Sequence, residues 1–114
     1  MVTQMHRECL DAIQKLITLI DMMVMSPDLI YLAGAYTSIL RSETDTMITE
    51  HIDPGVDPME VRGLDALADQ IRVRDNSAER LERIRSIMLD YLYPMASQLD
   101  HVISQADAPT EKIS

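Results

Sequence analysis

Phenylalanine and tryptophan are absent from this chain, and four tyrosines supply all of its 4% aromatic content although 46% of its residues are apolar. A core built from it must be aliphatic, drawn from Leu, Ile, Ala and nine Met. Such an interior suits helix packed on helix, because methionine fits irregular gaps, and it suits a sheet poorly. A single cysteine, Cys9, excludes an internal disulfide and a zinc site built on cysteines, and fits a reducing compartment. Long apolar runs are missing as well. The most apolar region, LITLIDMMVMSPDLIYLAGAY, is broken by Asp21 and by Ser26-Pro27-Asp28, so neither half reaches the roughly 20 residues of a membrane span. His6, Arg7, Glu8 and Asp11 stand where a secretory leader carries a basic start and an apolar stretch. The reading is a soluble, cytoplasmic chain with no membrane contact.

What is present is acid. The net charge is −9 over 114 residues, which disfavours nucleic acid and anionic membrane and favours a basic or neutral partner. The charge is uneven. Residues 43–60 hold six acids and no Lys or Arg, whereas residues 62–85 hold six arginines against five acids. Faces of opposite sign could pair within the chain, between subunits, or stay in water.

The apolar spacing predicts an all-α four-helix bundle with long first and fourth helices, at about 3–25, 27–51, 58–74 and 77–105. Residues 1–105 form one domain and 106–114 a disordered tail. Leu10, Ile13, Leu16, Ile17, Ile20, Met23 and Val24 mark the first helix, whose second half is apolar nearly all round. That breadth leans toward self-association. Ser26 and Pro27 start the second helix, with Leu29, Leu32, Ala33, Tyr36, Ile39, Leu40 and Met47 on its inner side. Val61, Leu64, Leu67, Ala68 and Ile71 mark the third helix. Asn76 and Glu79 cap the fourth, whose stripe runs from Leu81 through Met88, Leu92 and Leu99 to Val102. Pro94 within that stripe is expected to kink it near Asp90.

The most chemical-looking run is EHIDPGVDPME, with Glu50, His51, Asp53, Asp57 and Glu60. It fails the calcium-loop template, because Gly55 follows Asp53 by only two residues and each Asp precedes a proline. Glu50 and His51 are adjacent, so a helix points them about 100° apart and a shared metal is not favoured. The run instead reads as a stop, Asp53-Pro54-Gly55, followed by a start, with Asp57 as cap, Pro58 at the first helical position and Glu60 completing a capping box. Residues 66–84 carry a faint helix-turn-helix pattern with Arg80, Arg83 and Arg85 on its second helix, but Glu79 and Glu82 interleave with the arginines. His6 and Cys9 lie one turn apart near an N-terminus expected to be mobile, with no third residue to orient the imidazole. No phosphate loop or nucleophile motif occurs.

These residues point to a non-enzymatic protein-binding factor, a small acidic adaptor, chaperone-like or inhibitor-like, that self-associates as a homodimer. No catalytic, metal or cofactor-binding residue is assigned. The expected protein-binding residues are the acidic stripe Glu43, Asp45, Glu50 and Asp53, the arginines Arg80 and Arg83, and Met22 and Met23. Two other classes stay open: a DNA-binding regulator using residues 66–84, and a metal-dependent enzyme using the acidic run 43–60.

Overall fold

A computed structural model of the chain describes residues 2–21, 27–73 and 78–107. They form four helices and no strand: α1 (Gln4–Asp21), α2 (Pro27–Thr49), α3 (Pro58–Val73) and α4 (Ala78–Asp107). Each helix packs on its two neighbours, α1 on α2 and α4, and α3 on α2 and α4, so the bundle closes as a ring of four. The expected all-α bundle with long outer helices is what forms. Met22–Met25 and the Asn76 cap lie outside the described residues, as does the tail from residue 108. Helix α4 runs two residues past its expected end and continues through Pro94.

The core is one aliphatic cluster. From α1 it takes Cys9, Ala12, Ile13, Leu16 and Ile20, and from α4 Leu81, Ile84, Met88, Leu92, Met95, Leu99 and Ile103. Leu10 and Ile17, expected inside, only flank the cluster. Val61, Leu64 and Ala68 enter it from α3.

Helix α2 differs most from expectation. Its buried line is Ala33, Thr37, Leu40, Thr44 and Met47, an alternation of four and three residues that keeps one seam toward the bundle. Two threonines occupy core positions because the helix itself satisfies their hydroxyls. Thr37 Oγ1 donates to the Ala33 carbonyl at 2.6 Å and Thr44 Oγ1 to that of Leu40 at 2.7 Å. With that seam inward, Leu32 and Ile39, both expected in the core, turn outward and are 44% and 43% exposed.

The stop between α2 and α3 lies two residues earlier than the proline and glycine suggest. Ile52 N donates to the Met47 carbonyl and His51 N to that of Ile48, closing a Schellman turn. His51 takes the left-handed position with φ of 62°, a place normally given to glycine. Asp53-Pro54-Gly55 then forms a connector, in which Asp53 Oδ1 accepts from Gly55 N at 3.0 Å. The start of α3 is as expected at its cap: Asp57 Oδ1 accepts from Met59 N at 2.9 Å, and its carbonyl accepts from Glu60 N and Val61 N. Glu60 adds negative charge to the first turn, where the helix dipole favours it.

Candidate functional site

The N-terminal turn is pinned rather than mobile. Thr3 caps α1, its Oγ1 accepting from Met5 N at 3.1 Å and its carbonyl from His6 N. His6 is 1% exposed and spans two segments. The Thr3 amide lies 2.9 Å from its Nδ1, and its Nε2 lies 2.7 Å from the Asp53 carbonyl. A backbone amide can only donate and a carbonyl only accept, so Nδ1 is the acceptor and the single proton sits on Nε2. The imidazole therefore ties the start of α1 to the α2–α3 connector. Gly55 completes this corner: its φ is +78°, and a Cβ there would stand 3.0 Å from Leu99 Cδ1 of α4.

Cys9, one turn on, has no exposed surface. Burial pushes its thiol up to about 11, against a weaker opposite pull from a hydrogen bond with Thr44; the charges of Glu43 and Glu8 push the same way as burial. A thiol held in its neutral form is a poor nucleophile at neutral pH. His6 and Cys9 are structural members of one corner.

The acidic residues do not form one stripe. Glu43 is half-buried on the α1 side of α2, where burial first, and then the charge and hydrogen bond of Glu8, raise its carboxyl above the ordinary range. Asp45 faces the other side and lies 3.9 Å from Arg41. Arg41 in turn donates to Asp65 of α3 and ties the two helices together. Arg41, Asp45, Glu50 and Asp65 line a polar groove of about 500 Å³ with Ser38, Ser42, Thr46 and Thr49. Asp53 is exposed and directs its carboxylate to the Gly55 amide.

The arginines divide similarly. Arg83 is largely exposed and 3.8 Å from Glu79, one turn away on α4, a pair worth about 0.3–0.5 kcal/mol at most. Arg80 is half-buried. Arg85 is the structural one: Nε donates to the Ile20 carbonyl at 2.9 Å, and Nη2 reaches the Asp21 carbonyl and carboxylate at 3.3 and 3.2 Å. It caps the C-terminus of α1 from α4, where unpaired carbonyls and the negative end of the dipole favour a cation. Met22 and Met23 lie outside the described residues.

Among the described residues no three His, Cys, Asp or Glu side chains gather as a metal site. Every buried side-chain polar atom described there has a partner. No described helix is long and apolar enough to cross a membrane.

The surface missed by sequence reasoning is the outer face of α2. Tyr31, Leu32, Ala35, Ser38, Ile39, Ser42, Thr46 and Thr49 are all exposed and uncharged, with exposed Arg41 and half-buried Asp45 bordering them. Tyr31 is 75% exposed. Beside this face, Leu19, Leu32 and Tyr36 floor a cleft of about 380 Å³ between α1 and α2, rimmed by Asp11, Gln14, Lys15 and Thr18. Lys15 Nζ stands 5.7 Å from the centre of the Tyr36 ring. The signal was present in the 4–3–4–3 spacing of Ala33, Thr37, Leu40, Thr44 and Met47, which is legible once threonine is admitted to a helical core. Comparison with known protein families, with curated proteins and with solved structures finds no match to this chain.

Proposed function

We propose that the chain is a non-enzymatic protein-binding factor, a small acidic adaptor that acts through the outer face of α2. The observation that carries this reading is the exposure of Tyr31, Leu32 and Ile39 on one side of α2, next to a groove edged by Arg41, Asp45 and Glu50. Solvent normally claims such a face with charged residues, and a contiguous exposed apolar face marks a contact surface. Tyrosine and the aliphatic side chains supply the buried area that carries binding energy.

The polar groove alongside, with Asp45, Glu50 and Asp65, gives the face an acidic edge. Its contribution is orientation and encounter rate toward a partner with basic residues at the matching edge. The groups with chemical potential serve the fold instead. His6, Cys9, Arg41 and Arg85 are each committed to a helix cap, a core or an interhelical bond.

The reading is tested by affinity capture from the native cell with the tagged chain and with a Leu32→Glu, Ile39→Glu double variant. Both positions face solvent, so the variant should keep its helical circular dichroism and melting temperature. The expected result is a set of proteins held by the parent chain and lost by the variant. Equal capture by both chains would overturn it.

A further inference from the structure

We infer that Glu8 of α1 and Glu43 of α2 form a proton-dependent latch between the two helices. One proton shared by the carboxyl groups holds the seam, and its loss sets two carboxylates against each other.

The register of α1 on α2 places the two residues face to face. Lys15 stands over the Tyr36 ring, and Leu19 shares a cleft with Leu32, four residues on along α1 and four back along α2. Seven residues the other way on each antiparallel helix, about two turns, bring Glu8 opposite Glu43. Their sequence neighbours Cys9 and Thr44 are hydrogen-bonded in the core beneath them.

The Glu8 and Glu43 side chains are hydrogen-bonded to each other. A carboxylate has no hydrogen to donate, so this contact exists only while one of the pair is protonated. Glu43 is half-buried and Glu8 exposed. Burial disfavours the charged form, which assigns the proton to Glu43. Its carboxyl is accordingly held above the ordinary range, by burial first and by the Glu8 charge second.

Among the described residues the charge that acts on Glu43 is negative, that of Glu8. On α1, Lys15 lies two turns away, paired with Asp11 at 2.9 Å, and Arg7 leaves the helix about 100° round from Glu8. On α2, Arg41 donates to Asp65 of α3 with Asp45 beside it, and Glu50 lies two turns on from Glu43 with the same charge. Helix α4 packs on α1 without touching α2. Its Arg85 is held by Asp21 at the far end of α1, and Asp100 and His101 are exposed.

A proton bound more tightly by the folded chain than by the unfolded one stabilises the fold. That contribution is complete below the ordinary value of 4.5 and is lost as pH rises through the raised value of Glu43. At neutral pH the seam then carries an unneutralised pair, which a neutral side chain at either position relieves.

The test unfolds the full chain in urea at pH 5 and pH 7.5, as the parent, as Glu8→Gln, as Glu43→Gln and with both substitutions. Glutamine keeps the size of the side chain and supplies an amide hydrogen at every pH. Each single variant should show a higher urea midpoint than the parent at pH 7.5, with a smaller gain at pH 5. The double variant should gain less than the two single gains together, because either substitution alone removes the repulsion. Asp90→Asn, at an exposed acid of α4, removes the same charge elsewhere. Glutamine gains no larger than that of Asp90→Asn, or as large at pH 5 as at pH 7.5, would overturn the latch. NMR of the Glu43 carboxyl carbon reads the proton directly. Its midpoint in the parent should lie above 4.5 and should fall in Glu8→Gln. A midpoint at the ordinary value, or one unmoved by Glu8→Gln, would overturn the inference whatever the stability of the variants.

Discussion

His6 holds one proton between two backbone groups that are far apart in sequence, the Thr3 amide and the Asp53 carbonyl. Removing the ring leaves both groups without a partner and opens a cavity beside Gly55, whose Cβ position lies 4.0 Å from His6 Cδ2. His6→Ala is expected to cost about 2–4 kcal/mol in urea unfolding, combining unsatisfied polar groups with lost packing. A loss of only a few tenths would contradict the assigned role. Cys9 makes a pH prediction. Its folded thiol titrates at about 11 against an ordinary 9.0, so the folded chain favours the neutral form. Below pH 9 both states are protonated and nothing changes. Between pH 9 and 11 the unfolded thiol ionises while the folded one does not, and stability should fall by about 2–3 kcal/mol. Cys9→Ala should lack that part of the fall, with the tyrosines, common to both chains, cancelling in the comparison. A thiol reagent should also react with the native chain only as fast as it opens.

At the scale of elements, helix type and order were legible because the apolar spacing is regular and each boundary has local chemistry. Pro27 and the Asp57-Pro58 pair mark starts that the structure reproduces. The end of α2 was less legible, because the conspicuous Asp53-Pro54-Gly55 comes after the turn that ends the helix. His51 takes the left-handed position with no glycine to announce it. His51→Gly is expected to stabilise the chain by about 1 kcal/mol, since a side chain at positive φ carries a steric cost that glycine lacks. Thermal unfolding reads this as a higher Tm, and a lower Tm would show that the imidazole makes up for the strain. The face of α2 was misread for a related reason. Leu32 and Ile39 looked like core by hydrophobicity, yet the threonines took the seam because each could bond its own helix. Periodicity alone does not rank a satisfied threonine above an unsatisfied requirement for burial. The candidate site was consequently legible only in part: acids and arginines were identified, but their division between helix ties and solvent depends on which way each helix is rotated.

Over the whole molecule, the bundle is closed by a few long-range polar ties laid over an aliphatic core. Arg41 joins α2 to α3, His6 joins α1 to the α2–α3 connector, and Arg85 joins α4 to the end of α1. Arg85→Ala is expected to destabilise the chain by about 1.5–3 kcal/mol, the range for hydrogen bonds made by a charged group. Faster amide exchange should appear in the last turn of α1, while α3 should be little affected. Uniform acceleration across all helices would indicate a general loss of stability in place of a lost cap. The exposed large apolar side chains are Tyr31, Leu32, Ile39 and Ile48 on α2, Met59 on α3, and Ile87 and Tyr93 on α4 among the described residues, and the binding reading proposed above rests on those of α2. Tyr31 and Tyr93 offer an internal comparison, being 75% and 53% exposed on different helices. Hydroxyl-radical footprinting of the tagged chain in extract from its native cell, against the dilute purified chain, tests the central claim most directly. Selective protection of Tyr31 relative to Tyr93 is the expected result, whether a second copy or another protein covers α2. Equal labelling of both tyrosines, unchanged from the dilute chain, would contradict it.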